Sequence, residues 1–96
     1  VFWPGDIVKF DINASLEIGV GYDGKQSVPY NNGRQNSRSA YKGPMAWSSV
    51  PNDKQKEGIV THINNDGMII LTPDGKHHLF PIQLLRTRQP LIKLSY

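Results

Sequence analysis

The residues best suited to chemistry lie between Gly21 and Val50, where Lys25, Arg34, Arg38 and Lys42 stand against a single acid, Asp23. That local balance of +3 equals the formal net charge of the whole 96-residue chain. Tyr22, Tyr30, Tyr41 and Trp47 are interleaved with these cations among glycine, serine and asparagine. The combination suits a polynucleotide. Cations neutralise phosphates and release condensed counterions, while aromatic faces stack on bases at about 1–3 kcal/mol each. Asn31, Asn32, Asn36 and the nearby serines add donors for phosphate oxygens or base edges. The competing reading is a solvated loop whose rings fold back over the body, with Trp47 the first to be buried. A second basic group comprises Arg86 and Arg88, with Lys93 farther on. The i, i+2 spacing of the two arginines places them on one face of an extended segment.

Other constellations carry less. His62, His77 and His78 invite a transition-metal reading across neighbouring strands, but no acidic or thiol ligand recurs at a useful spacing. Asp66 and Asp74 resemble a carboxylate pair, yet each precedes a glycine, and turn chemistry accounts for both. The serines have no nucleophile motif around them. The glycine-rich run 19–24 lacks the helix and the Lys-Ser/Thr pair of a phosphate cradle. No catalytic constellation survives, so the expectation is a binding module without cofactor or metal.

The elements that must position these residues are short. Hydrophobic residues make up 38% of the chain, and nine glycines with seven prolines interrupt it often, so one small domain is expected. The longest apolar run, residues 68–71, is far below the roughly 20 residues that span a bilayer, and no membrane partner is expected. There are no cysteines, which excludes disulfides and thiolate metal sites and favours an intracellular home, whether cytoplasmic, nucleoid or nuclear. The opening VFWPGD has neither a basic stretch nor an apolar run, and no signal peptide is read there.

Alternation marks a first strand over residues 5–12, with Val8, Phe10 and Ile12 on one face, and a second over 15–20. A polar excursion over about residues 21–56 follows. Asp66-Gly67 and Asp74-Gly75 then separate three apolar runs, predicting a meander of strands at roughly 58–63, 68–72 and 76–80. Pro81 opens a single helical turn whose Ile82 and Leu85 plug one end of the fold, and a last short strand lies at Arg86–Thr87 or at Leu91 to Leu94, with Pro90 between them. The fold class expected is all-β: one barrel of five to six short antiparallel strands.

Gly5-Asp6-Ile7-Val8, Gly58-Ile59-Val60-Thr61, the two Asp-Gly turns and Pro81-Ile82-Gln83-Leu84-Leu85 resemble SH3-like barrels of the KOW, Tudor and integrase C-terminal types. That resemblance implies a binding module. KOW-type and integrase-type barrels generally contact RNA or DNA, whereas Tudor-type barrels hold methylated Lys or Arg in an aromatic cage. Trp3, Phe10, Tyr22 and Phe80 are the rings available for such a cage. The leading expectation is a nucleic-acid-binding domain, DNA in preference to RNA, with little sequence preference. Its phosphate contacts would be Lys25, Arg34, Arg38, Lys42, Arg86 and Arg88, and its stacking residues Tyr30, Tyr41 and Trp47. The alternative is a protein-interaction or accessory module within a larger assembly, anchored by Trp47 and Tyr41.

Overall fold

The computed structural model describes residues 1–20, 26–29 and 41–94. Among the described residues seven strands form one sheet: β1 (Ile7–Asp11), β2 (Leu16–Val20), β3 (Gln26–Pro29), β4 (Gln55–Asn64), β5 (Gly67–Leu71), β6 (His77–Pro81) and β7 (Leu91–Lys93). One helix, α1 (Ile82–Thr87), connects β6 to β7. The order across the sheet is β3-β2-β6-β5-β4-β1-β7, with every neighbouring pair antiparallel. Among the described residues no helix is long and apolar enough to cross a membrane.

The expected meander is present as β4, β5 and β6, and both Asp-Gly signals mark its turns. Gly67 and Gly75 have φ of 144° and 85°, a region closed to most side chains. At the first turn Asn64 Oδ1 accepts from the amides of Asp66 at 2.8 Å and Gly67 at 3.2 Å. At the second, Asp74 accepts from the Thr72 hydroxyl and from the Lys76 amide. These contacts hold the Asp74 carboxyl below its usual range, the Thr72 hydroxyl being the chief cause. The two aspartates that resembled a carboxylate pair therefore belong to separate turns.

The core explains the alternation. Val8 and Phe10 of β1, Val60 of β4, Met68 and Ile70 of β5, and Phe80 of β6 are buried together with Leu84 and Leu91. Phe10 lies 5.7 Å from the His78 ring and 6.4 Å from the Phe80 ring, the latter edge to face. β1 and β6 are three strand spacings apart, about 14 Å in a flat sheet, so these contacts require the sheet to curl. A smaller group, Ile18, Ile69 and Leu79 with Leu16 against it, is buried on the opposite face.

Several expectations are corrected. Among the described residues the hydrogen-bond ladder is open, with β3 and β7 as its edges, where a closed barrel was expected. β3 interrupts the polar excursion, and ordered 3₁₀ turns at Trp47–Ser49 and Asn52–Lys54 precede β4. Ile12 leaves β1 for a 3₁₀ turn, Ile12–Ala14, because the Asp11 side chain accepts from the Asn13 amide and caps it. In α1 the buried plug is Leu84, whereas Ile82 and Leu85 are half-buried. The helix advances about 100° per residue, which turns position 84 inward.

A Cβ at Gly67 would collide with the Phe80 carbonyl oxygen, and one at Gly58 would lie 2.5 Å from Ile70 Cγ2 and 2.7 Å from the Leu71 oxygen. Gly67→Ala combines the collision with an unfavourable φ. It is expected to destabilise the fold by well over ~1 kcal/mol in chemical denaturation. Gly5→Ala shares a positive φ of 99° but has nothing within 4 Å, and its cost should be visibly smaller.

Candidate nucleic-acid interface

Of the nine residues expected at the interface, Lys25, Tyr30, Arg34 and Arg38 lie outside the described residues. The other five fall into two groups, one at the end of the polar excursion and one around α1.

Tyr41 opens the first group, and its environment differs from that expected of a stacking ring. It is half-buried against the main core. Its hydroxyl donates to Asp11 Oδ2 at 2.8 Å and also contacts the Pro44 carbonyl oxygen. Burial and the adjacent Asp11 carboxylate push the phenol well above its usual range, so it remains a neutral donor. Asp11 is buried to 1% exposure, and its two oxygens are met by the Asn13 amide and the Tyr41 hydroxyl. A buried carboxylate requires such partners. Tyr41 thus fastens the end of the excursion to the end of β1. The turn after it is tight: a Cβ at Gly43 would lie 2.7 Å from the Tyr41 hydroxyl oxygen.

Lys42 follows Tyr41 and is exposed. Trp47 begins the first 3₁₀ turn, with the Val50 amide donating to its carbonyl at 3.0 Å, and its side chain is half-buried. Its burial is less complete than the loop-folding alternative supposes. Val50, three residues on, is the buried anchor of this turn.

The second group does not have the expected form. Arg86 occupies the last turn of α1, and Arg88 caps it in a left-handed conformation at φ 57°. Residues two apart on a helix diverge by about 200°, so the two guanidinium groups do not share the single face of an extended segment. Both are exposed. Their elements are separated from Tyr41 and Lys42 in sequence but linked through the core, since α1 contributes Leu84 to the cluster against which Tyr41 packs.

The described residues carry eight Lys or Arg against seven Asp or Glu. Asp6 pairs with Lys93 at 3.3 Å and Glu17 with Lys76 at 3.6 Å. The Trp3 amide and Lys93 hold the Asp6 carboxyl below its usual range. Lys42, Arg86 and Arg88 have no ion pair among the described residues. Two acids, Asp6 and Glu17, are thus paired, and the three candidate cations are exposed.

The aromatic cage is not formed by the rings considered for it. Phe10 and Phe80 are fully buried against each other, Trp3 is 64% exposed, and Tyr22 lies outside the described residues. His77 and His78 alternate on β6, which sends them to opposite faces. His78 is buried beside Phe10, with Ser15 Oγ 3.4 Å from its Nδ1 and Glu17 opposite in register. No family model, curated protein or solved structure matches the chain.

Removing the Tyr41 hydroxyl leaves Asp11 buried with one partner fewer. Tyr41→Phe is expected to destabilise the fold by about 1.5–3 kcal/mol in denaturant titration. Burial lowers the His78 pKa below its ordinary value of 6.5, so the unfolded chain binds its proton more readily. Stability from this group is therefore present above pH 6.5 and is lost as pH falls through and below it. Thermal melts across that window should show the decline, and His78→Gln should flatten it.

Proposed function

We propose that this chain is a nucleic-acid-binding domain of low sequence specificity, taking DNA in preference to RNA, on a curled, open sheet of SH3-like element order. The element order supports the fold: strand, excursion, three-strand meander, one helical turn and short strand. The curl of the sheet around Phe10 supports it further. β1 and β2 are joined by four residues, Ile12 to Ser15, yet stand four strand spacings apart in the ladder. Such a connection suits a sheet that wraps toward itself.

The observation that carries the functional reading is the excess of cations between Gly21 and Val50, four against one acid, with Arg86 and Arg88 exposed beyond it. Asp6 and Glu17 are tied to Lys93 and Lys76, while Lys42, Arg86 and Arg88 are exposed without ion pairs among the described residues. Lys25, Arg34 and Arg38 add to the same sign within a segment that contains one acid. In this reading Lys25, Lys42, Arg34, Arg38, Arg86 and Arg88 contact phosphates, and Tyr30 and Trp47 supply stacking faces. Tyr41 positions the segment through Asp11 and does not itself stack. With α1 only six residues long, no helix of the described body fills a major groove, and sequence preference is slight.

The test is titration of labelled duplex and single-stranded DNA and RNA at two salt concentrations. Binding is expected to be saturable and to weaken by about 0.9 log units per contacted phosphate per decade of salt on duplex DNA. An Arg34/Arg38/Lys42→Ala variant should lose most of the affinity, and Arg86→Ala with Arg88→Ala should shallow the salt slope. Absence of binding at low salt would overturn the proposal and favour the protein-docking alternative.

A further inference from the structure

We propose that the outer face of β1 and β4 is a two-fold interface joining two copies of this chain. Val8 and Phe10 point into the core, so Ile7 and Lys9, which alternate with them, face outward. Across the ladder Ile7 stands opposite Ile59, and Ile59 opposite Leu71. The Leu94 amide donates to the Ile7 carbonyl at 2.9 Å, which brings Leu94 into the same row. Four aliphatic residues therefore run in line across the sheet. Ile59 is 37% exposed, the other three are half-buried, and a groove of about 480 Å³ lined in part by Ile7, Ile59 and Leu71 opens beside them.

The neighbouring row on this face determines which partner fits. There Lys9 stands opposite Glu57, one strand pair carrying one charge of each sign. Consider a two-fold axis parallel to the strands, midway between β1 and β4. It sets Ile7 over Ile59 of the second copy, with Leu94 and Leu71 flanking that contact. The same rotation sets Lys9 over Glu57 of the second copy, and Glu57 over its Lys9. An axis across the strands through the charged row would instead stack like on like. Isologous contacts require a surface complementary to itself, and this arrangement satisfies that requirement in both rows at once. Neither charged side chain has to be unpaired in the monomer, because the four charges alternate in sign around the axis. The occupant is therefore a second copy, held weakly and reversibly, since a contact two rows deep is at the small end of specific interfaces.

Sedimentation equilibrium of the full chain, without nucleic acid, tests this. The wild type should show a reversible monomer–dimer equilibrium with a dissociation constant in the micromolar to millimolar range. Ile59→Lys should make it monomeric while leaving the circular dichroism spectrum and thermal unfolding essentially unchanged. Lys9→Glu and Glu57→Lys should each weaken self-association by about tenfold or more. An equimolar mixture of those two variants should recover the dimer, because each reversed charge then meets its opposite in the other copy. Monomeric wild type at all concentrations would overturn the proposal. So would a dimer indifferent to Ile59→Lys, or a mixture that fails to recover.

Discussion

The structure depends on the burial of Phe10. Its ring reaches residues three strands away, which only a curled sheet permits, and both Phe80 and His78 pack on it. A fully buried ring of this kind is worth about 1.5–3 kcal/mol from burial alone. In a chain this small, few other groups can substitute for it. The β1–β4 ladder sets Asp11 opposite Gln55, which brings the end of β1 to the end of the polar excursion, where Tyr41 meets Asp11.

Much of this architecture could be read from the residues, and the reasons are local. Asp66-Gly67 and Asp74-Gly75 mark turns because glycine accepts the required φ whatever surrounds it. Pro81 marks a helix start for a similarly local reason. The failures involve distance or competing partners. β3 is short, and its sequence, Gln-Ser-Val-Pro, has weak strand propensity, so its pairing with β2 lacks a local signal. Arg86 and Arg88 have a spacing compatible with a strand or a helix end, and the chain takes the helix end. Whether the ladder closes is set by contacts between remote segments, to which turn chemistry is indifferent.

The candidate interface divides in the same way. The cationic composition of the excursion is visible in the sequence, but the division of labour among its rings is not. Tyr41, Trp47 and Tyr30 look equivalent as aromatic residues beside basic ones. Only the position of Asp11, thirty residues earlier, distinguishes Tyr41. A buried aspartate at the end of an apolar strand was the available signal. Its demand for a donor from elsewhere implies that some distant polar group folds onto it.

Burial of the sheet on two faces has a consequence for its internal stability. β5 and β6 contribute Met68, Ile70 and Phe80 to one cluster and Ile69 and Leu79 to the other, so neither face can be wetted without opening both. β7 has three residues, two of them exposed, and among the described residues pairs only with β1. Amide protons along β5 and β6 will therefore be the last to exchange with solvent deuterium, through openings close to global unfolding, while those of β7 exchange through local fraying. The hierarchy places the least yielding part of the molecule at the centre of its meander and leaves the margins free to adjust.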